Sequence, residues 1–215
     1  MGSIQLTEAA ANVGVYSRYV LPRVIDVVCG AKPTMRQREK LVPGARGRVL
    51  EIGIGSGLNL PFYDAARVSA LWGLDPSPEL WSLARQRVAK MPLDLAFLEA
   101  GAEDIPLPAD SIDTVLVTYT LCSIPDVALA LKDMRRVLRH GGQLLFCEHG
   151  AAPDAGVRKW QDRLNPLWQR IGGGCHLNRD IPGLLVAAGF RIRTMETMYI
   201  PGFKPASFNY WGAAD

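Results

Sequence analysis

A glycine-rich stretch directly follows a short apolar run, Val49 to Ile52. The run predicts a buried strand, and the residues from Asn59 to Ala66, with Pro61 early among them, predict a helix. Glycine has no Cβ, so a ligand can touch the backbone of the loop between these two elements. The first turn of the helix would add free N–H groups. The glycines of the loop are Gly53, Gly55 and Gly57.

Two carboxylates accompany this loop and restrict the ligands that would suit it. Glu51 lies two residues before the first glycine, and Asp75 ends the next apolar run, which begins at Ala70. A carboxylate at the end of a second strand can accept hydrogen bonds from both hydroxyls of a ribose. The dinucleotide pattern G-x-G-x-x-G would need a glycine where the chain has Leu58. The spacing therefore departs from the dinucleotide fingerprint.

Strand and helix patterns alternate along the chain, which predicts right-handed crossovers and a parallel sheet. After the first strand, further strands are predicted at residues 70–75, 93–100, 112–119, 143–147, 190–198 and 206–211. Helices are predicted at residues 34–41, 78–90 with Ser77 as the cap, 126–139 ended by two glycines, 157–171 interrupted near Pro166, and a last short one through Ala188.

Length, charge and cysteine content exclude several classes of protein. At 215 residues the chain is long enough for one domain with a substantial core. The net charge is +3 with dispersed basic residues, so we expect no nucleic-acid partner. The four cysteines form no C-x-x-C pair and no zinc spacing, so we expect a reduced cytoplasmic protein without a metal. No apolar run is long enough to span a membrane, no signal-peptide pattern is present, and the oligomeric state stays open.

The pattern E-x-G-x-G-x-G followed by Asp75 resembles the first motifs of class I S-adenosylmethionine (SAM) methyltransferases. The resemblance implies an α/β Rossmann-like fold, with a mostly parallel seven-stranded sheet, helices on both faces and an antiparallel last strand. It implies one domain, residues 1–215, made of an N-terminal helical lid (1–45), a SAM-binding core (46–150), and substrate-side helices with closing strands (151–215). The cofactor would be SAM, with S-adenosylhomocysteine as its product.

The same resemblance assigns residues to the cofactor. Gly101 to Pro106 is similar to the segment that holds the adenine, although many relatives have Asp where this chain has Gly101. We therefore expect Glu103 to take over the contact with the adenine amino group. The residues assigned to the cofactor are Glu51, Gly53, Ile54, Gly55, Gly57, Asn59, Asp75, Pro76, Ala102, Glu103, Thr118 and Leu121.

Two groups within the family share further motifs with the chain. Leu121 to Asp126 and Met134 to His149 resemble the alkyl-thiol S-methyltransferases, as do Trp160, Trp168 and Gly174 to Arg179. We expect the chain to differ from that group in having no apolar N-terminal membrane anchor. Residues 46–63 also resemble bacterial phospholipid N-methyltransferases. The N/D-P-P-Y/F motif of the enzymes that methylate base amino groups is absent after the fourth strand.

The acceptor is expected to be a small molecule, preferably a thiol. Thiols have a pKa near about 8.5, so one base or a modest field gives a useful amount of thiolate. His149, at the end of the fifth strand, is the candidate base. The alternatives are a phospholipid (phosphatidylethanolamine) or lipoquinone acceptor, with peripheral membrane contact, or a protein that binds SAM without turnover. The candidate pocket residues are Tyr16, Tyr19, Cys122, Trp160, Trp168 and His176.

Tyr16 and Tyr19 lie in an apolar segment, Val13 to Ile25, that precedes the sheet. The segment could close over the cofactor as a lid, or it could simply pack against the edge of the sheet.

Overall fold

Seven strands form one sheet in the computed structural model, which describes Gly14 and residues 16–215. The strands are β1 (Gly47–Ile52), β2 (Val68–Leu74), β3 (Leu95–Leu98), β4 (Ile112–Thr118), β5 (Leu138–His149), β6 (Ile192–Tyr199) and β7 (Phe208–Ala214). Their order across the sheet is β3-β2-β1-β4-β5-β7-β6. Strands β1 to β5 pair in parallel, whereas β7 lies between β5 and β6 and is antiparallel to both. The predicted Rossmann-like sheet with an antiparallel last strand is therefore confirmed.

Helices lie along both faces of this sheet. They are α1 (Leu21–Cys29), α2 (Lys32–Leu41), α3 (Pro78–Val88), α4 (Val127–Val137), α5 (Ala155–Ile171) and α6 (Ile181–Ala187). Shorter helical turns occur at Tyr16–Val20, Val42–Gly44, Leu60–Phe62 and Lys204–Ala206. Among the described residues, no helix combines the length and the apolar character needed to cross a membrane.

The core is divided by the sheet into two layers. Successive side chains of a strand point to opposite faces, and β1 shows this directly, because Val49 and Leu50 belong to different buried clusters. The cluster that contains Leu50 also contains the apolar residues of α4 and α6. The cluster that contains Val49 includes Leu41 of α2 and Trp81 of α3. Both faces of the central strands are therefore covered, which explains their continuous apolar runs.

The helix predicted at residues 59–66 is wrong, because the structure has only a single helical turn, Leu60–Phe62. Tyr63 leaves the helical conformation with φ −69° and ψ 135°, and its hydroxyl donates a hydrogen bond to the buried Glu51. Asp64 then accepts a hydrogen bond from the N–H of Ala66 in a local turn. Such side-chain bonds compete with helix formation.

Two boundaries also differ from the prediction. Helix α4 ends at Val137, and β5 begins at Leu138, well before the predicted start at residue 143. Leu138 pairs with Ile112 across a register shift, and Arg139 forms an ion pair with Asp113, so strand pairing replaces the last helical turn. Helix α5 continues through Pro166 without the predicted interruption.

Gln161 holds the last third of the chain together from within α5. Its side chain is completely buried, and its Oε1 accepts a hydrogen bond from the N–H of Ala152 at 2.9 Å. Its Nε2 lies 2.9 Å from each of the carbonyl oxygens of Gly150, Leu177 and Pro205, and its two hydrogens are shared among these three acceptors. One amide therefore satisfies the backbone of three separate loops.

We predict that Gln161→Leu lowers the free energy of unfolding by at least about 2 kcal/mol, because each buried backbone group left without a partner costs about 1–3 kcal/mol. The measurement is urea unfolding followed by circular dichroism. Gln86→Leu makes the same change at an exposed site on α3 and should stay within about 0.5 kcal/mol of the wild type. Equal stability of both variants would contradict the assigned role.

Candidate functional site

A cavity of about 650 Å³ opens at the carboxyl ends of the parallel strands. It lies where the strand order reverses between β1 and β4, the place at which open α/β sheets bind their ligands. The glycine loop and the residue after β2 line one part of the cavity, and residues that follow β4 and end β5 line another. A single space thus joins the motifs that the sequence analysis selected separately.

The three loop glycines have different structural roles. All three have a positive φ, of +67° at Gly53, +52° at Gly55 and +77° at Gly57. A Cβ at Gly53 would lie 2.4 Å from Thr120, and one at Gly57 would lie 2.7 Å from Leu60. At Gly55 the nearest atom would be 3.8 Å away. Gly53 and Gly57 are therefore required by packing, while Gly55 leaves open space where a ligand can approach the backbone.

Asp75 fixes the loop against the end of β2. Its carboxylate accepts hydrogen bonds from the N–H of Gly55 at 2.9 Å and from the N–H of Ser77 at 2.8 Å. Burial raises the pKa of Asp75 above its usual value, although these hydrogen bonds act in the opposite direction. Each carboxylate oxygen can accept more than one bond, so Asp75 can hold the loop and still accept the hydroxyls of a ribose. Ile54 and Pro76 also line the cavity.

Glu51 and Asn59 lie behind the loop, outside the cavity lining. Glu51 accepts hydrogen bonds from Asn59 Nδ2 at 2.9 Å and from the Tyr63 hydroxyl at 2.6 Å. Burial raises the pKa of Glu51 to about 7, against the effect of these bonds and of the nearby charge of Arg38. Arg38 donates through Nη1 to Asn59 Oδ1 at 2.9 Å and to Thr118 Oγ1 at 2.5 Å. Glu51, the acidic residue of the motif, thus supports the glycine loop from the side away from the cavity.

The segment predicted to hold an adenine lines the cavity through Gly101, Ala102 and Glu103. A Cβ at Gly101 would lie 2.8 Å from Oε2 of Glu103. The Glu103 carboxylate therefore lies next to the place where a longer residue at position 101 would put its side chain. The contact of Glu103 with an adenine amino group stays a prediction.

Two cysteines and one histidine meet at the other part of the cavity. His149 is the last residue of β5, and its Nε2 lies 3.2 Å from Sγ of Cys175. The ligand atoms of Cys122, His149 and Cys175 all lie within 4.8 Å of one another. Hydrogen bonds with Cys122 and His149 lower the pKa of Cys175 well below its usual range despite burial. Burial disfavours a charged His149, but the hydrogen bond with Cys175 and the nearby charges of Cys175 and Glu148 together outweigh this effect and raise the pKa of His149.

Only some of the predicted pocket residues line the cavity. Tyr16 and Trp168 do so, and the Tyr16 hydroxyl donates to the carbonyl of Ile171 at 2.8 Å. Tyr19 is 54% exposed and Trp160 is 56% exposed, and the cavity lining includes neither of them, nor His176. A π-helical turn puts Tyr19 on a different side from Tyr16, and Trp160 lies about 12 Å along α5 from Trp168.

Gly57 and Leu121 are also outside the lining. Gly57 allows the loop to turn, and the N–H of Leu121 donates to Glu148 at 3.0 Å. Thr118 lines the cavity next to Arg38. Cys122 also lines the cavity.

Helix α1 covers part of the cavity, so the N-terminal segment does contribute to it. Leu21, Ile25 and Val28 are among its lining residues. Asp26 of α1 forms an ion pair with Arg87 of α3 at 3.0 Å, and Arg87 also donates to the carbonyl of Ser56 in the glycine loop at 2.7 Å. Residues 1–13 and 15, the rest of the predicted lid, lie outside the described part of the chain.

Residues 50–146 match the family model described as a methyltransferase domain. The chain contains a methyltransferase domain. It is 39% identical over 148 residues to the human thiol S-methyltransferase TMT1B, covering 66% of this chain and 59% of that protein. It is 35% identical over 130 residues to a phosphatidylethanolamine N-methyltransferase from Cereibacter sphaeroides, covering 58% of this chain and 63% of that protein. The alignments thus span about three fifths of these relatives.

A crystal structure of a SAM-dependent methyltransferase from Thermotoga maritima has the same fold, with a TM-score of 0.67. The similarity covers 94% of this chain and 97% of that one at 20% sequence identity.

Sequence reasoning missed two residues of this methyltransferase domain and its surroundings. Arg38 lies in a helix that precedes the sheet. The sequence pattern of that helix gives no reason to place Arg38 at the site. Cys175 is far from Cys122 and His149 in sequence, so no motif spacing joins the three. The signal available for Cys175 was its place in a loop that begins with three glycines, residues 172–174, which fits a close approach to neighbouring backbone.

We predict that Glu51→Gln reduces the pH dependence of stability. The folded state raises the pKa of Glu51 from 4.5 to about 7, so folding favours its protonated form. The contribution of this group is greatest at low pH and is lost as the pH rises towards 7. Between pH 5 and pH 8 the wild type should therefore lose roughly 2 kcal/mol more than the variant. The measurement is urea unfolding across this pH range, and parallel curves for the two proteins would contradict it.

Proposed function

We propose that this protein transfers the methyl group of SAM to a small, apolar thiol. The observation that carries the proposal is the single cavity that joins the Gly55 and Asp75 region to the cluster of Cys122, His149 and Cys175. The methyltransferase domain and the similarity to a thiol S-methyltransferase support the same conclusion.

The cofactor would lie along the glycine loop. Asp75 would accept the ribose hydroxyls, and the backbone of Ala102 with the Glu103 carboxylate would meet the adenine. The methionine part would then extend past Gly53 and Thr118 towards Arg38, which lines the cavity and has a buried Nε without a protein hydrogen-bond partner among the described residues. A guanidinium in this place suits the carboxylate of the methionine part.

The reaction requires alignment and desolvation more than chemical activation. The acceptor sulfur attacks the methyl carbon with its lone pair, the bond from that carbon to the sulfonium sulfur breaks, and S-adenosylhomocysteine leaves as a neutral thioether. The acceptor loses one proton in the same overall reaction. Holding the two sulfur atoms in line supplies most of the catalysis, and the apolar walls from α1 and Trp168 keep water away from the nucleophile.

A phospholipid or quinol acceptor is the main alternative. The similarity to a phosphatidylethanolamine N-methyltransferase supports it. A protein that binds SAM without turnover would share the cofactor part of the cavity. The experiments below separate these alternatives.

Gly55→Arg should weaken SAM binding by more than about 100-fold, because its side chain would fill the open space beside the loop. Isothermal titration calorimetry measures this change. Gly141→Arg is the matched control: Gly141 also has a positive φ, +76°, and open space around it, but it lies outside the cavity lining. The control should bind SAM as the wild type does. Unchanged binding by Gly55→Arg would contradict the placement of the cofactor.

Labelled SAM offered with alkyl and aryl thiols, phosphatidylethanolamine vesicles and a quinol should give an S-methyl product, identified by mass spectrometry. His149→Ala should lower kcat/KM for the thiol by about 100-fold or more, the usual range for a group that assists proton transfer. His140→Ala, at an exposed site, should leave it unchanged. A methylated lipid or quinol with no S-methyl product would overturn the thiol proposal, and no product with intact SAM binding would indicate a binding protein.

A further inference from the structure

The cluster of Cys122, His149 and Cys175 has the composition of a transition-metal site. Two cysteine sulfurs and one imidazole nitrogen lie within 4.8 Å of one another. Thiolate and imidazole ligands suit zinc, whereas magnesium and calcium prefer oxygen ligands. The absence of zinc spacing in the sequence does not count against such a site, because the three ligands come from three separate parts of the chain that only the fold brings together.

The distance between His149 and Cys175 is close to that of a zinc site. Zinc bonds of about 2.3 Å to sulfur and about 2.0–2.1 Å to nitrogen place the ligand atoms of a tetrahedron roughly 3.5–3.8 Å apart. The His149 Nε2 and Cys175 Sγ atoms are 3.2 Å apart, so they need to separate by only a few tenths of an ångström. The separations from Cys122 Sγ are at most 4.8 Å, so side-chain rotations that shorten them by up to about 1 Å would complete three corners of the tetrahedron.

The backbone fixes the two cysteine loops against each other. The N–H of His176, next to Cys175, donates to the carbonyl of Cys122 at 2.8 Å. Arg179 donates through Nη1 to the carbonyl of Leu121 and through Nη2 to that of Ile124, the latter at 2.8 Å. The loop after α5 thus forms hydrogen bonds to the turn that carries Cys122 on both sides of this residue. These bonds keep the sulfurs of Cys122 and Cys175 close together without a covalent bond.

His149 is held independently by the sheet. It ends β5 and pairs with Asn209 of the antiparallel strand β7, and the N–H of the next residue, Gly150, donates to the carbonyl of Phe208 at 3.1 Å. All three candidate ligands line the cavity. A tetrahedral ion held by them would therefore have its fourth position on the side where the acceptor is placed.

We propose that Cys122, His149 and Cys175 bind one Zn²⁺ ion whose fourth ligand is the sulfur of the acceptor thiol. The identity of the fourth ligand rests on the proposed function. The assignment of the three protein ligands is independent of it. Three protein ligands with one open position are the arrangement of catalytic zinc sites, and two cysteines with one histidine are a known set for them.

The ion would make the acceptor a thiolate at neutral pH. The acceptor S–H bond breaks as its sulfur binds zinc, and the proton passes to solvent or buffer, so His149 would act here as a metal ligand and not as the base. The zinc-bound sulfur then uses a lone pair to form the bond to the methyl carbon of SAM, while the bond from that carbon to the sulfonium sulfur breaks. The thioether product is a weaker ligand than the thiolate and leaves the ion, which undergoes no change of oxidation state.

The test begins with metal binding alone. Protein treated with a chelator and kept reduced with a phosphine is titrated with Co²⁺ and with Zn²⁺, and the bound metal is counted by mass spectrometry. The expected result is one equivalent per chain, with thiolate-to-cobalt charge-transfer absorption. Cys122→Ser and Cys175→Ser should each weaken binding by more than about 100-fold, since even outer-sphere changes cost 10- to 100-fold.

Cys29→Ser is the matched control, because Cys29 also lines the cavity but lies outside the cluster. It should bind the metal as the wild type does, and circular dichroism of every variant checks that it is folded. No stoichiometric metal, or binding that both Cys122→Ser and Cys175→Ser retain, would overturn the proposal.

The fourth position is tested by adding a small alkanethiol to the cobalt protein in the presence of S-adenosylhomocysteine. A shift of the visible absorption bands supports thiol coordination, and unchanged bands overturn that part of the proposal. Activity separates the two proposals. Full thiol methylation by the chelator-treated protein would reject zinc and leave the proposed function intact, whereas bound metal without methylation of any thiol would reject the proposed function and the fourth ligand.

Discussion

A buried carboxylate connects the parts of the chain that shape the cavity. Glu51 receives hydrogen bonds from Asn59 and Tyr63, and Asn59 in turn is bonded to Arg38 and Thr118. The network therefore ties the end of β1 to the segment after the glycine loop, to α2 and to β4. A carboxylate in this environment is costly to ionise, and the hydrogen bonds that surround it offset that cost. The glycine loop can leave its inner face open because it is supported from behind.

The two parts of the cavity are held in place by different interactions. At the part of the cavity proposed for the cofactor, Asp75 holds the glycine loop through the N–H of Gly55, so a cofactor there would meet a fixed surface. At the part proposed for the acceptor, three side chains from a strand end and two loops converge, and a backbone hydrogen bond from His176 to Cys122 joins the two loops. The sheet links the two parts, because β4 ends beside the loop and β5 ends in His149. The reacting groups would thus be aligned by the strand ends themselves.

The sequence was informative where local chemistry decides the structure. The alternating strands and helices, the glycine loop and Asp75 could be predicted because each depends on short-range patterns of apolar, glycine and acidic residues. The segment at residues 59–66 was mispredicted because the hydrogen bond from the half-buried Tyr63 to Glu51 is a tertiary contact that overrides helix formation. The role of Arg38 and the meeting of Cys122 with Cys175 could not be read from spacing, since each depends on how distant loops pack. Trp160 and Trp168 show the same limit, because both lie on one helix but only Trp168 reaches the cavity.

The most direct test of the account is a crystal structure of the protein with S-adenosylhomocysteine. We predict that the ribose lies on Asp75 and the adenine beside Ala102 and Glu103, with the homocysteine sulfur directed into the space in front of Cys122, His149 and Cys175. A ligand bound outside this cavity, or one whose sulfur points away from that cluster, would contradict the central claim that the cavity joins the cofactor to its acceptor.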